Sequence, residues 1–392
     1  MSAKGVIGSS YSTTYRFGAG ADASALSSLY REAYDPKTGA PPEEFYPFPD
    51  LMSPEKLAIL LDNELWLWIV ACQGREVIGV VGAKIACQAG TLRPMLADML
   101  GLVVRPDCRR RGVGQHLLRY VTGELDNRVD WILAETRVNT PASWGPLRKC
   151  GYRIFGYESA CHRTPAGYEA MLLQGKVSSR RLRLRRASTP RNRLEALANE
   201  VTRNLCSAVN ENGDLAAEAS VDGREPDEAS AKVGNLNGNT SKVESAICVR
   251  QLQRHLCSAR LKQFTIEMPS LALVAEIDPI DLRLYIASLV LGTTFSNIAG
   301  DLRSVFSEIE RYMLAQNLQS SVIEVALSKS ELIEILLEKR YKPTAVYPAL
   351  VSDGSCFKDV VQFTRSLKTD PTLSDFSVFE MEEHILSLLE SM

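Results

Sequence analysis

The sequence predicts an α/β fold, with a mixed central sheet flanked by helices and, after a linker, a second and smaller α/β module. Strand-like and helix-like segments alternate through the first part of the chain. An apolar segment at 96–104 leads through a basic, glycine-containing loop at 109–114 into an amphipathic helix. Residues 210–241 are mostly small or polar and separate two regions rich in apolar residues. These three observations predict two folded modules joined by a flexible linker.

The elements of the first module follow from residue periodicity and helix-capping residues. Asp22 and Ser53 are the predicted N-cap residues of two helices, and Pro54 suits the first helical position. The predicted elements up to the basic loop are a strand starting at 15–17, helices at 22–33 and 53–61, and strands at 65–72, 77–87 and 96–104. Between the two helices, the proline-rich segment 35–50 is predicted to be a loop.

The basic loop is suited to bind an anion. Gly112 and Gly114 allow the backbone to approach the ligand closely and to adopt positive φ. The helix that begins at Gly112 carries apolar residues at helical spacing and directs its free N–H groups toward the loop. A nucleotide P-loop requires Gly-x-x-x-x-Gly-Lys-Ser/Thr, which is absent from the sequence, and a dinucleotide fold places Gly-x-Gly-x-x-Gly after its first strand.

The loop pattern Arg109-x-x-Gly112-x-Gly114 resembles the acyl-CoA signature Gln/Arg-x-x-Gly-x-Gly/Ala of the GNAT acyltransferase superfamily. Downstream, the segment 131–136 resembles the next strand of that family, 141–150 resembles its next helix, and 147–152 resembles its exit motif. The resemblance covers about residues 12–165 and implies the GNAT fold. It also implies acetyl-CoA or another acyl-CoA as co-substrate and an amine as acceptor.

The resemblance assigns cofactor-binding roles to two groups of residues. The loop and first helical turn would hold the pyrophosphate, through Arg109, Arg110, Arg111, Gly112, Val113, Gly114 and Gln115. The preceding strand would pair through its backbone with the pantetheine arm, at Leu102, Val103 and Val104. Asn139 lies one residue out of register with a family asparagine that contacts the same arm.

Two carboxylates are candidates for the general base. Asp98 lies eleven residues before Arg109, the offset at which one branch of the family carries its general-base glutamate. Burial within a strand would raise its pKa toward a useful range, although an acid there could instead orient the acceptor or bind an arginine. Glu135, on the following strand, is the second candidate. The tyrosine that often serves as general acid in the family corresponds to Leu147, so the proton donor is not identified.

Arginines are concentrated between Lys176 and Arg193. Their alternation with leucine at 181–185 predicts an exposed strand in a solvated basic connector. A site for an anionic partner, such as an acidic carrier protein, is the alternative. A helix is predicted at 194–205, and the segment that follows has the composition of a disordered linker.

The second ordered region repeats the order of a strand, a long helix, a strand, a helix and an aromatic strand. When 147–157 is set beside 337–347, the match indicates a weak internal repeat and a degenerate GNAT-like module. Its counterpart of the basic loop, 292–297, lacks the Arg-x-x-Gly-x-Gly pattern, and an amphipathic helix is predicted at 377–389. The predicted organisation is a flexible tail (1–14), a catalytic domain (15–165), a basic connector with a helix (166–207), a disordered linker (208–245) and the degenerate domain (246–392).

Composition excludes several classes of function. The 392 residues are 45% hydrophobic and carry a net charge of −2, which is typical of a soluble protein that is not a general nucleic-acid binder. No uncharged apolar run approaches the ~20 residues of a membrane helix, and the N-terminus lacks the apolar core of a signal peptide. Nine scattered cysteines without metal-ligand spacing indicate reduced thiols, no metal site and a cytoplasmic location.

These observations together predict an N-acyltransferase that moves an acyl group, in the simplest case acetyl, from acyl-CoA to an amine by direct attack. A small metabolite is slightly favoured over a protein as acceptor, because the second module could enclose a pocket. A GNAT-fold binding or regulatory protein without turnover is one alternative. A thioester decarboxylase or S-acyltransferase that acts on a carrier protein is the other.

Overall fold

The computed structural model describes residues 12–35, 46, 48–86, 96–138, 141–164, 167–183, 185, 192–211, 246–249, 262–268, 271–278, 281–291, 299–352, 357–367, 385 and 389. The helices are α1 (Ala23–Tyr34), α2 (Pro54–Leu61), α3 (Val113–Asp126), α4 (Pro141–Lys149), α5 (Ser179–Arg183), α6 (Arg193–Glu211), α7 (Ala299–Ala315) and α8 (Ser330–Glu338). The strands are β1 (Thr13–Phe17), β2 (Trp66–Gln73), β3 (Glu76–Ala86), β4 (Leu96–Val104), β5 (Trp131–Arg137), β6 (Arg153–Thr164), β7 (Gly167–Val177), β8 (Ala246–Val249), β9 (Lys262–Met268), β10 (Leu271–Asp278), β11 (Arg283–Leu291), β12 (Ser320–Ala326), β13 (Lys342–Ser352) and β14 (Phe357–Ser366).

The strands form one continuous sheet in the order β1-β2-β3-β4-β5-β7-β6-β13-β14-β12-β11-β10-β9, and β8 pairs with β11 outside this path. The pairs β4–β5 and β11–β12 are parallel. A parallel pair needs a crossover connection, which α3 supplies between β4 and β5 and α7 supplies between β11 and β12. The predicted mixed sheet flanked by helices is therefore confirmed.

The two predicted helix caps have different outcomes. Ser53 caps α2, because its Oγ accepts the backbone N–H of Lys56 at 3.3 Å. Asp22 is the N-cap residue of α1, as predicted, but its carboxylate makes no capping hydrogen bond to the helix. It instead accepts two hydrogen bonds from the Arg16 guanidinium, both at 2.7 Å, and one from the backbone N–H of Ala19 at 3.0 Å. Asp22 therefore ties β1 to the start of α1.

The predicted boundary at residue 165 falls inside the first sheet. Strand β7, which begins at Gly167, lies between β5 and β6 and is antiparallel to both. The segment expected to begin the connector is thus a central strand of the first half. The helix α6 also extends to Glu211, past the expected end of the connector at 207. The family motifs end before β7, so they gave no signal for either feature.

Within the arginine-rich segment, Ser179–Arg183 forms the helix α5 where a strand was predicted at 181–185, and Arg185 makes an isolated bridge with Phe357. Arg181 lies in α5 and is only 4% exposed, and its Nε donates to the carbonyl of Ala349 at 2.9 Å. Arg185 binds the carboxylate of Asp359 through Nε at 2.8 Å and Nη2 at 2.6 Å. Both guanidinium groups therefore donate hydrogen bonds to acceptors in the second half of the chain. The interpretation of these two arginines as solvated or partner-binding groups is wrong.

The strand order of the second half repeats that of the first. The path β2-β3-β4-β5-β7-β6 has the same succession of pairings as β9-β10-β11-β12-β14-β13, and the two paths meet between β6 and β13. Each parallel pair keeps register over four residues, from Leu96 opposite Trp131 in the first half and from Arg283 opposite Ser320 in the second. The bulge in β6–β7 also has a counterpart at the same place in β13–β14.

The turns that lead into β6 and β13 show how the two halves align. Gly151 and Arg340 both have positive φ, at 87° and 61°, and each precedes a buried tyrosine. The Tyr152 hydroxyl lies 2.8 Å from the Thr122 hydroxyl, and the Tyr341 hydroxyl lies 2.7 Å from the Ser321 hydroxyl. The alignment suggested by the sequence is therefore one residue out of register.

One apolar cluster joins the two halves. It contains Trp131 and Phe155 from the first half and Tyr347 and Phe363 from the second. The Phe155 and Tyr347 rings lie 4.9 Å apart between centroids. Of the helix predicted at 377–389, only Ile385 and Leu389 are described; both are helical and buried in this cluster. The predicted linker falls almost entirely outside the described residues.

Candidate acyl-transfer site

A cleft opens in the first half where β4 and β5 diverge. Their parallel register ends with Met99 opposite Ala134, although β4 continues to Val104. A bulge in β4 near Gly101, whose φ is 61°, accompanies the divergence. The Tyr30 hydroxyl donates to the carbonyl of Gly101 at 2.8 Å and so supports the bulge from α1.

Leu102, Val103 and Val104 lie along the diverging part of β4, as the sequence predicted. Their other edge pairs with β3, with Val80 opposite Val103 and Gly79 opposite Val104. Within the described part of the chain, no strand pairs with the edge of β4 that faces the cleft beyond Met99. A ligand with amide groups could therefore pair with this edge, much as an added strand would.

The basic loop closes one end of this cleft. The Arg109 Nε donates to the carbonyl of Val104 at 2.9 Å, which fixes the loop to the end of β4. Arg110 and Gly112 both have positive φ, at 60° and 82°, and the three arginine side chains are exposed. The loop thus turns sharply into α3 and leaves the guanidinium groups of Arg110 and Arg111 in solvent.

The start of α3 presents backbone N–H groups to the loop. Gly112 is the N-cap residue, and its carbonyl accepts the N–H of His116 at 3.0 Å. The N–H groups of Val113, Gly114 and Gln115 precede this first helical hydrogen bond and have no acceptor within the helix. The Val113 side chain is buried, so its contribution to a ligand site is its backbone N–H. These groups and the helix dipole favour a bound anion.

A cavity of about 270 Å³ lies beside the loop. It is lined by Thr13, Tyr15, Gln73, Ile78, Cys108, Arg111, Val113 and His116. The rings of Tyr15 and His116 stack at its wall with centroids 5.6 Å apart. The cavity reaches from Arg111 of the loop to neutral side chains of β1 and β2.

The two candidate bases lie on the same face of the sheet, on either side of the point where the strands diverge. On β4, Ala97 and Met99 pack against the α3 side, so Asp98 between them faces the other side. On β5, Ala134 packs on the α3 side and Glu135 faces away from it. Asp98 is half-buried, with Lys84 opposite it on β3, whereas Glu135 is exposed. The expected burial of Asp98 is therefore only partial.

An aromatic wall that the sequence did not predict stands on this same side of the sheet. It consists of Tyr30, Tyr34, Tyr46 and Phe48. Tyr34 and Tyr46 stack with ring centroids 3.9 Å apart. Burial raises the pKa of Tyr34, while a hydrogen bond from Tyr46 and the charges of Arg137 and Arg109 act against that rise. Tyr34 therefore lies within electrostatic range of both the basic loop and the end of β5.

An ion pair fixes the end of β5. Arg137 donates from Nε and Nη2 to the carboxylate of Glu169 on β7, at 2.5 and 2.6 Å. This bidentate contact raises the pKa of Arg137 and keeps it charged. The sequence did not predict the aromatic wall or this ion pair. Their residues come from α1, the segment before α2, β5 and β7, which are distant in the chain, so no local pattern indicates that they meet.

The position of the family tyrosine offers no proton donor. Leu147 is 3% exposed and packs in the core under α3. Tyr152 is fully buried, and its hydroxyl contacts Thr122 and the Met99 sulfur, so it is a packing residue as predicted. Asn139 lies outside the described residues. Among the residues that the structure describes, no group of three or more His, Cys, Asp or Glu side chains could hold a metal ion.

The diverging parallel strands and the basic loop at the start of α3 define an α/β domain with a strand edge, open among the described residues, beside a cationic helix start. Residues 26–152 match the model of the acetyltransferase (GNAT) family. This part of the chain is therefore a GNAT domain, and the family is one of acyl-transfer enzymes.

Three solved structures illustrate what this chain is similar to. Ribosomal-protein-alanine N-acetyltransferase from Brucella melitensis is 20% identical, with a TM-score of 0.36, and the match covers 42% of this chain and 99% of that one. A GNAT-family acetyltransferase from Streptococcus pneumoniae has 17% identity, a TM-score of 0.36 and the same coverage. Arabidopsis thaliana NAA60, in complex with a bisubstrate analogue, has 15% identity and a TM-score of 0.36, covering 43% of this chain and 99% of that one. No curated protein gives a significant sequence match.

No helix in the described ranges is both long and apolar enough to cross a membrane.

Proposed function

We propose that the first half of this protein is an N-acyltransferase that moves an acyl group, in the simplest case acetyl, from acyl-CoA to an amine. The observation that carries the proposal is the divergence of β4 and β5 beyond Met99 and Ala134, next to the basic loop at the start of α3. The cleft suits the amide-bearing pantetheine arm, and the loop suits the pyrophosphate at its end. An acyl-CoA has both features in one molecule.

Backbone groups supply most of the proposed cofactor contacts. The pyrophosphate would accept hydrogen bonds from the N–H groups at the start of α3, from Gly112 to Gln115, as anions do at helix N-termini. Arg110 and Arg111 are exposed and would add charge-assisted hydrogen bonds. The Arg109 side chain is held by the Val104 carbonyl, so its role would be to shape the loop. The cleft edge of Leu102 to Val104 would pair with the pantetheine amides.

The proposed reaction is direct attack of the amine nitrogen on the thioester carbonyl. The nitrogen–carbon bond forms, the carbon–sulfur bond breaks, and CoA leaves as a thiolate. The ammonium nitrogen loses one proton to solvent before the attack and a second proton as the nitrogen–carbon bond forms; Asp98 or Glu135 would accept the second directly or through a water molecule. The thiolate gains one proton. Since Leu147 cannot donate it, we propose Tyr34 as the donor, because its phenol is near the cleft and its raised pKa keeps it protonated.

The acceptor is proposed to be a cationic amine, with a small metabolite favoured over a protein. Asp98 and Glu135 place negative charge on the acceptor side of the cleft, which attracts an ammonium group before it is deprotonated. The wall of Tyr34 and Tyr46 adds aromatic faces, which bind cations and alkyl groups alike. A wall of this kind suits a compact acceptor that enters beside α1.

The second half is proposed to be a degenerate module of the same fold that supports the first. Its strand order and its buried exit tyrosine support a duplication. On this view the first module runs from about residue 12 to the end of β7, and α5 and α6 belong to the junction. We propose that the protein acts in the cytoplasm, because its cysteines are scattered singly.

A binding protein without turnover is the second candidate, and the buried Leu147 at the acid position is the observation that favours it. The test begins with mass spectrometry of any ligand that co-purifies with the chain. A panel of small amines with acetyl-CoA is then scored by release of free thiol. Thiol release that depends on an amine supports the enzyme. CoA binding without thiol release across the panel supports the binding protein, and absence of any CoA binding contradicts both.

A further inference from the structure

The second half contains a cleft like that of the first. The strands β11 and β12 stay in register only from Arg283 to Ile286, and the last pair places Ile286 opposite Ile323. β11 then continues to Leu291, as β4 continues to Val104. Ile286 thus occupies the place of Met99, the last paired residue of β4.

A peptide segment lies in this second cleft. The strand β8 (Ala246–Val249) runs antiparallel to the diverging part of β11, with Ser288 opposite Val249 and Leu289 opposite Cys248. Because β10 pairs with the other edge of β11 along its whole length, β8 must use the edge that faces β12. β8 also packs against β12. It therefore sits between two strands that would otherwise stand apart.

The residues that β8 covers overlap, after alignment of the two halves, with the proposed pantetheine-binding residues. Residues 288–290 lie two to four positions after Ile286, the last residue of β11 that pairs with β12. The residues two to four positions after Met99, the last residue of β4 that pairs with β5, are 101–103. Backbone groups of the first cleft are proposed to pair with the amides of pantetheine. The matching groups of the second cleft already pair with the amides of a peptide.

We infer that β8 is a built-in occupant of the second cleft, which holds the place of the pantetheine arm and closes this half to acyl-CoA. The inference rests on the proposed function of the first cleft. A strand added to an open sheet edge gains main-chain hydrogen bonds and covers unpaired groups. Only residues 250–261 separate β8 from β9 in the chain. A tether of this length holds a segment at an effective concentration of about millimolar.

The consequence is one cofactor site in a chain that contains two clefts. The closed cleft also explains why β11 can diverge from β12 without leaving its own edge unpaired. Since β8 pairs with β11 and lies next to β12, this half has a strand where the first half, among its described strands, has an open edge.

The test compares hydrogen exchange at the two clefts in the full chain. The reporters are amides among 287–291 that point away from β10, and amides among 101–104 that point away from β3. We expect the first set to be protected without any ligand, and the second set to become protected only when CoA is added. Calorimetry with CoA should give a single equivalent per chain. Fast exchange of the first set in the free protein, or a second bound equivalent that protects it, would overturn the inference.

A proline variant tests the role of β8 directly. In an antiparallel pair, one of two adjacent residues directs its N–H to the partner strand. Cys248→Pro with Val249→Pro therefore removes that donor in either register. Protection at 287–291 should fall by at least about tenfold, and CoA affinity at the first cleft should not change. The matched control, Cys248→Val, keeps the strand.

Two outcomes separate this inference from the proposed function. Retained protection at 287–291 in the proline variant contradicts the occupancy of the second cleft. If the variant also loses protection throughout β12 and β14, the substitution has disrupted the whole second half. The wild-type exchange pattern and the number of CoA equivalents bound per chain then decide whether β8 occupies the second cleft. Absence of CoA binding by the wild-type chain would refute the proposed function, whereas ligand-free protection of β11 would still establish β8 as the occupant.

Discussion

Gly156 of β6 lies directly opposite Ala345 of β13, and each is the fourth residue after the buried tyrosine that opens its strand. Equivalent residues of two repeats that face each other across an antiparallel pair mark a two-fold axis. The two halves therefore meet as the subunits of a symmetric dimer would, although they belong to one chain. The strands approach so closely that a Cβ on Gly156 would lie 2.3 Å from the Ala345 Cβ and 2.5 Å from the Thr344 carbonyl oxygen.

Gly156→Ala should destabilise this junction. The added methyl overlaps backbone as well as side-chain atoms, so β6 and β13 must separate, and overpacking of this kind costs about 1–3 kcal/mol or more. Chemical denaturation monitored by tryptophan fluorescence measures the loss. The control is Gly123→Ala in α3, where an added Cβ meets nothing within 4 Å and the change should be neutral or stabilising by up to about 1 kcal/mol. Equal stability of the two variants would contradict a tight junction.

The sequence predicted local features well because their signals are local. The Ser53 cap of α2, the amphipathic helix α3 and the strand at 96–104 all follow from neighbouring residues, whereas the divergence of that strand was implied by the family resemblance. The site loop was predictable for the same reason, since a strand, a glycine pair and a helix are adjacent in the chain.

Features that depend on distant contacts were not predictable. Arg181 and Arg185 have the pattern of a solvated segment, but the second half supplies the Ala349 carbonyl and the Asp359 carboxylate that bind them. Asp130 and Asn199 add further contacts. The partnership of Tyr34 with Tyr46 depends on how a proline-rich loop returns to α1. Strand β8 has four residues, all of them apolar, so it shows no alternation that would assign it to a sheet face, and its pairing with β11 has no local signal.

A buried ion pair should stabilise the junction between the halves. Glu158 accepts a hydrogen bond from Arg283 at 2.5 Å and another from the Gln362 amide at 2.7 Å, and both charged side chains are at most 3% exposed. Glu158→Gln removes the negative charge and leaves the guanidinium buried without its countercharge, which costs about 3–5 kcal/mol. Urea denaturation would measure the loss of unfolding free energy.

The control for this prediction is an exposed pair. Arg303 and Glu338 lie on the surface between α7 and α8, at 46% and 51% exposure, so Glu338→Gln should cost less than about 1 kcal/mol. Similar losses for Glu158→Gln and Glu338→Gln would show that burial does not govern the strength of the first pair.

Gly112→Ala should weaken CoA binding more than Gly114→Ala. Gly112 has a φ of 82°, and an alanine in the left-handed region costs roughly 1–2 kcal/mol, which the loop would relieve by reorienting its N–H groups. We expect the dissociation constant of CoA to rise about five- to thirtyfold by calorimetry. A Cβ on Gly114 meets only the Val104 side chain at an ordinary 3.6 Å, so Gly114→Ala should bind nearly as well as wild type. Undiminished affinity of Gly112→Ala would count against the loop as the pyrophosphate site.

Asp98→Asn should slow turnover far more than it weakens CoA binding. If Asp98 accepts the proton of the amine, loss of its carboxylate should lower kcat by about 100-fold or more. The CoA dissociation constant should stay within about twofold, because the loop at the start of α3 is unchanged. The measurement is the pH–rate profile of thiol release, in which the acidic limb should change. An unchanged profile would remove Asp98 from the base role, and Glu135→Gln would then be the variant expected to alter it.

Tyr34→Phe should lower kcat without altering the pH–rate profile below about pH 10. Burial raises the pKa of Tyr34, so the phenol is protonated throughout that range and loses its proton only above its ordinary value of 10.0. Activity that depends on this proton is therefore retained at low pH and lost as pH rises through the raised pKa. We expect about a tenfold loss in kcat, while Tyr120→Phe, at an exposed position on α3, serves as the control. A raised KM for the amine with unchanged kcat would instead make Tyr34 only a wall of the acceptor site.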